Sequence, residues 1–311
     1  MSASNFSSIG VFLRGMLMGA ADVVPGVSGG TMALITGIYT TLLASVRAFD
    51  LEALRLLLAG EFKALWQHVN GCFLLALLAG IGTSVLTMAR GISYLLVHHP
   101  VPLWAFFFGL ILASAIALLF HVMRWGPAAI LALIAGTAIA LFISLSSQIQ
   151  LGGGLFGVFV AGFIAICAMI LPGISGSFIL LLLGMYAPVL AAVSRFDLPY
   201  MAVFAVGAAA GLMCFSRLLY FLLRRFVDTT MAMLSGFLFG SLAVVWPWKE
   251  VLQWTTDRHG EPKVAQQIPV LPERFAELGG QPQLWLCLGL AVIGAVLVWQ
   301  LESRYGRKLN V

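Results

Sequence analysis

Six apolar segments, at about 71–97, 102–122, 127–147, 199–224, 230–248 and 284–301, are each long enough to cross a bilayer core of roughly 30 Å. Two more, 9–45 and 153–193, are as apolar but interrupted, the first by "VPGVSGG" at 24–30 and the second by "LPGISGS" at 171–177. With 61% hydrophobic and 9% charged residues and a mean hydropathy of +1.03, the composition excludes a soluble domain. The expected class is an all-α integral membrane protein.

The N-terminal "MSASNFSSIGVFLRG" has neither a basic run nor a small-residue cleavage site, and is expected to remain in the fold. Cys72, Cys167, Cys214 and Cys287 lie singly in apolar segments, without metal-ligand spacing, and read as small buried hydrophobes. No cofactor is implied. The net charge of +5 is spread over short loops and forms no continuous basic surface, so it reports membrane orientation and argues against a nucleic-acid partner.

The chain is written twice. A shift of 147 lays Pro25, Gly26, Ser28, Gly29, Gly37 and Tyr39 on Pro172, Gly173, Ser175, Gly176, Gly184 and Tyr186, and "FDL" at 49–51 on "FDL" at 196–198. After about 20 extra residues in the first copy, a shift of 127 pairs Gly80 with Gly207, Arg90 with Arg217, Gly109 with Gly236 and Ser114 with Ser241. Two repeats, 1–150 and 151–311, follow.

If each broken segment enters and leaves on one side as a re-entrant helical hairpin, each repeat adds three crossings and the second copy is inverted. Arg47, Arg55, Lys63, Arg124, Arg224, Arg225, Arg304, Arg307 and Lys308 then share the side of both termini, which the excess of basic residues marks as cytoplasmic. The 51–68 stretch reads as an amphipathic helix on the inner surface, and 249–283, with four prolines, as an external cap or connection.

A helix broken in lipid exposes backbone groups at a cost on the order of several kcal/mol each, so the break belongs in protein or beside a wet cavity. An arm such as 9–24 reaches roughly 22 Å at about 1.5 Å per residue, near the midplane. Proline opens the next helix cheaply, and Gly-x-Ser-Gly leaves uncovered amides and a hydroxyl where the helix dipole favours an anion. Inverted repeats with discontinuous helices meeting at the midplane are a recurring plan of secondary transporters. The candidate anion site is therefore Ser28, Gly29, Gly30 and Thr31 with Ser175, Gly176 and Ser177, and the breaks are Pro25, Gly26, Pro172 and Gly173.

Arg90 and Arg217 are repeat mates within spans, where an arginine costs about 2.5–3.5 kcal/mol and usually faces a cavity or a partner. Their planar donors suit phosphate or carboxylate. The plainer readings are close packing for the motifs and snorkelling for the arginines. Asp22, whose mate is Met169, is open to three roles: neutralising Arg14, capping the following helix, or carrying a coupling proton or ion. His98, His99 and His121 read as solvated or lightly hydrogen-bonded.

"GVSG" and "GISG" also match a serine-protease pattern, but no histidine lies mid-span to act as base. A phosphotransferase would need clustered polar residues at one membrane face, and none is seen. A carrier or a channel for a small or lipid-linked anion remains, and saturable flux with counter-transport separates the two.

"GAADVVPGVSGGT" at 19–31 with "GIY" at 37–39, and "LPGISGS" at 171–177 with "LGMY" at 183–186, resemble the paired signatures of the bacterial polyprenyl-phosphate transporter family PopT, over nearly the whole chain. The resemblance implies a non-enzymatic transporter of the bacterial cytoplasmic membrane that returns undecaprenyl phosphate, the lipid carrier of cell-wall synthesis, from the outer to the inner leaflet. The partners implied are that lipid, the surrounding membrane lipids and a candidate coupling ion, proton or sodium. The tail would stay in lipid while the head group passes between the two motifs.

Overall fold

The structure, a computed structural model, describes residues 7–23, 28–146, 154–256 and 262–305. Among these, six helices are long and apolar enough to span a membrane: α6 (Gly71–His98), α7 (Pro100–Phe120), α8 (Pro127–Leu145), α12 (Leu198–Arg225), α13 (Val227–Val245) and α15 (Leu284–Tyr305). Proline sits in the first turn of α7, α8 and α12, where its missing N–H costs nothing, and Asp197 caps α12 by accepting the Tyr200 amide at 3.2 Å. Leu86, Leu131, Phe142 and Val292 stand exposed on these helices, a surface suited to lipid as solvent.

Each interrupted segment forms three helices. The first gives α1 (Ser8–Val23), α2 (Gly29–Ile35) and α3 (Tyr39–Arg47), and the second α9 (Leu155–Ile170), α10 (Gly176–Leu182) and α11 (Tyr186–Arg195). The second arm is not one helix to residue 45 or 193, as the sequence suggested. It bends by 116° between α2 and α3 and by 111° between α10 and α11. Gly37 and Gly184 cause both bends. At φ +72° and +68° they end α2 and α10, with Gly37 N–H bonded to Leu34 O and Ile38 N–H to Ala33 O, and the same pair of bonds from Gly184 to Leu181 O and Met185 to Leu180 O.

Helices pack where glycine removes the side chain. Neither Gly15 against Leu77 O nor Gly162 against Phe204 O leaves room for a Cβ, and the same holds for Gly80 against Phe12 O and Gly207 against Phe159 O. These contacts set α1 parallel to α6 and α9 parallel to α12, at the sequence shifts of 147 and 127. The third spans are exchanged: α8 lies along α13, with Gly136 on Met233 O, and α15 lies along α7, with Gly294 on Phe106 O. Their shift is 158, because the second copy holds the 249–283 insertion. At the centre α7 and α13 run antiparallel, tied by Ser235 Oγ to Ala115 O at 2.8 Å and by the Met123 amide to Asp228 Oδ1 at 2.8 Å.

Two peripheral regions show more detail than the sequence reading, and the first departs from it. The 51–68 stretch is two helices, α4 (Leu51–Leu58) and α5 (Phe62–His68), because Gly60 turns the chain at φ +74°. Their outer face still carries Leu51, Leu58 and Phe62 exposed. The 249–283 connection gains structure of its own: β1 (Lys249–Thr256) and β2 (Pro262–Pro269) pair antiparallel and precede α14 (Pro272–Glu277). The β-branched and aromatic residues of "KEVLQWTT" suit a strand.

Candidate functional site

The two motifs meet. All seven residues of α2 are buried, and its amino end rests on the carboxyl end of α9 and the turn that follows. A helix leaves its last carbonyls unsatisfied, and here hydroxyls of the first repeat reach them. Ser28 Oγ lies 3.2 Å from Met169 O and 3.3 Å from Leu171 O, its one proton serving either, and Tyr39 Oη donates to Ile170 O at 2.9 Å. A Cβ at Gly30 would fall 2.8 Å from Ile170 O, so only glycine allows this approach.

The second turn answers with a donor. Pro172 and Gly173, the latter at φ +84°, form a tight turn closed from Ile174 N–H to Leu171 O, with proline and glycine at its two central positions. The Gly173 amide points out of this turn and donates to Thr31 Oγ1 at 3.0 Å.

At the amino end of α2, Asp22 Oδ1 accepts the Gly29 amide at 2.7 Å, Ser28 Oγ accepts the Gly30 amide at 3.2 Å and Ser28 O accepts that of Thr31 at 2.9 Å. The uncovered amides expected at the first motif are thus already engaged, and of the three roles open to Asp22 the geometry realises the cap. Arg14 is turned the other way: its Nε donates to Thr36 O at the far end of α2, at 3.1 Å. The second motif is more open. Ser175 Oγ and Ser177 Oγ lie 2.9 Å apart, Ser177 is exposed, and the first amides of α10, those of Gly176 and Ser177, have no acceptor among the described residues.

Of the two paired arginines, only Arg217 has a described side chain. Arg217 is exposed on α12, with Nη2 3.4 Å from Phe49 O between α3 and α4. The Arg90 side chain, Pro25 and Gly26, and the 147–153 connection around the repeat boundary lie outside the described residues. Tyr39 and Arg14 were missed as positioning residues. The Gly-x-Tyr spacing was visible in both copies, but nothing local says which carbonyl a tyrosine will reach.

A family model described as undecaprenyl phosphate translocase-like matches residues 18–263. The chain is similar to a Vibrio cholerae protein named polyprenyl-phosphate transporter, 46% identical over 99% of this chain and 100% of that one. A Staphylococcus aureus protein of the same name is 33% identical over 76% of this chain and 85% of that one. No solved structure matches.

Proposed function

Because this chain belongs to the undecaprenyl phosphate translocase-like family, we propose that it is a carrier for a polyprenyl phosphate, undecaprenyl phosphate in a bacterial cytoplasmic membrane, and moves the lipid from the outer to the inner leaflet. The observation that carries this reading is the direct contact of the two Gly-Ser turns through Ser28, Thr31 and Gly173. A phosphate entering there exchanges neutral hydrogen bonds, each worth about 0.5–1.5 kcal/mol net, for charge-assisted ones of roughly twice the strength. Ser175, Ser177 and the amides of α10 are the first donors available to it, and Ser28, Gly29, Gly30 and Thr31 follow once the junction parts. Asp22 holds the Gly29 amide that a phosphate oxygen would take, so its release is the step a coupling ion, proton or sodium, would assist.

The reading includes inverted repeats with re-entrant hairpins and both termini in the cytoplasm. The antiparallel packing of the repeat mates α7 and α13 supports the inversion. The parallel packing of α1 with α6 supports the return of the intervening chain to its starting side. Arg90 and Arg217 then lie toward opposite faces and receive the phosphate in the two access states, while the tail stays in lipid beside a lateral opening between helices.

Reconstitution in liposomes with a leaflet-specific assay of undecaprenyl phosphate tests the proposal. Saturable transfer with counter-transport is expected. Unsaturable flux of small anions would indicate a pore, and absence of lipid transfer would refute the carrier.

A further inference from the structure

His121 and Glu302 meet where α7 and α15 end side by side. His121 follows the last residue of α7, Glu302 lies near the end of α15, and Nε2 stands 3.2 Å from Oε1. The other ring nitrogen, Nδ1, lies 3.0 Å from Ala117 O. A carbonyl oxygen only accepts, so Nδ1 carries a hydrogen. In a neutral imidazole Nε2 is then bare, and against an ionised carboxylate two acceptors would face each other. The contact therefore holds a proton, either as imidazolium beside carboxylate or as imidazole beside carboxylic acid. The side chains are only 24% and 22% exposed, which shields it from bulk water.

The same pair lines a small cavity with Leu34 and Ile35 of α2. That helix carries Ser28 and Thr31 into the turn junction at its other end. The pair is confined to one half of the molecule: the repeat positions of His121 and Glu302, at shifts of 127 and 158, are Trp248 and Ser144. The charged groups around it are few. On α1, Arg14 donates to Thr36 O at the carboxyl end of α2 and to Gly10 O. On α13, Asp228 accepts the Met123 amide, and Arg124 is exposed beyond α7. Residues of α2 itself are uncharged, Asp22 lies past its amino end, and the Arg304 side chain lies outside the described residues.

We propose that the His121–Glu302 contact is a proton-binding site through which transport draws on the pH gradient, an inference that rests on the carrier reading above. One proton is bound from one side of the membrane and released to the other in each cycle: its uptake forms one N–H or O–H bond in the pair, its release to water breaks that bond, and no other bond changes. Its loss sets nitrogen and carboxylate oxygen against each other as acceptors, parts α7 from α15 and frees the carboxyl end of α2. Its return closes the seam.

In liposomes bearing the wild-type protein, an imposed pH gradient is expected to shift the steady-state leaflet ratio of undecaprenyl phosphate by about tenfold per pH unit, the value for one proton per lipid. Glu302→Gln, whose amide can still donate to a neutral imidazole, and His121→Gln should lose the shift. A wild-type ratio that ignores the gradient, or variants that keep the full response, overturns the inference while leaving the carrier intact. Infrared difference spectra across a pH titration supply a readout independent of transport. A carboxyl or imidazole band lost in both variants supports the proton site, and identical spectra in all three proteins overturn it. Failure of lipid transfer in every sample would instead count against the carrier, with the spectra still deciding the proton site.

Discussion

The Gly173 amide donates to Thr31 Oγ1 at 3.0 Å, binding the turn of one repeat to the first helical residues of the other. The bond has no counterpart, since the repeat mate of Thr31 is Phe178. The junction therefore does not repeat its own chemistry.

Thr31→Val keeps the shape and removes the acceptor, leaving a buried amide unpaired at a cost of about 1–3 kcal/mol. Thr31→Ser should restore most of the loss. Thermal unfolding of the purified protein in detergent is the measurement, and equal midpoints for Val and Thr would show that the bond contributes nothing.

Arg90→Ala and Arg217→Ala are each expected to abolish lipid-phosphate transport in liposomes without loss of folding or insertion. Ser28→Ala and Ser175→Ala should weaken it less, because backbone amides and the helix dipole remain. Wild-type transport by both arginine variants would remove them from the substrate path.

Gly80→Ala and Gly207→Ala force a methyl into the carbonyls of Phe12 and Phe159, and neither backbone can yield. Each should cost about 1–3 kcal/mol, the range for overpacking. Gly82→Ala is the control, because a Cβ there meets nothing within 4 Å. Melting temperature and monodispersity after extraction check the contrast, and similar losses in all three would argue against these seams.

Lys249, beyond the end of α13, is partly buried, with Nζ 3.9 Å from the centre of the Trp104 ring and donating to Val244 O. Burial pushes its pKa down to about 7, outweighing the attraction of the ring for the charged form. The unfolded chain then binds more protons than the native one between about pH 7 and the ordinary lysine value near 10.4, so stability rises with pH across that window. Below pH 7 the penalty is complete. Lys249→Met should flatten this dependence, as read from unfolding midpoints between pH 6 and 10.

Hydropathy made the spans legible because a bilayer imposes a length that few other constraints imitate; α7, predicted at 102–122, is observed at Pro100–Phe120. Pro-Gly-x-Ser-Gly announced the first break in each arm. The second break, at Gly37 and Gly184, was noticed only as a repeat marker, since a lone glycine in an apolar run serves equally for packing and for a left-handed turn. The partners at the junction were hidden for another reason. Asp22 reaches Gly29 locally, but Ser28 and Tyr39 find carbonyls more than 130 residues away, and only the packed bundle fixes such distances. The Gly60 break, the hairpin at Lys249–Thr256 and Pro262–Pro269, and the His121–Glu302 contact likewise carried no periodic signal.

The exchange of third spans has a cost during synthesis. Until α15 emerges, α7 waits in the membrane with Gly109 bare, and α8 is satisfied only once α13 arrives. A nascent chain stalled near residue 150 thus presents grooved, unmated surfaces to lipid, a natural target for membrane proteases. The two halves become durable together, so supplying them as separate polypeptides should rescue each from degradation only when both are made in the same cell.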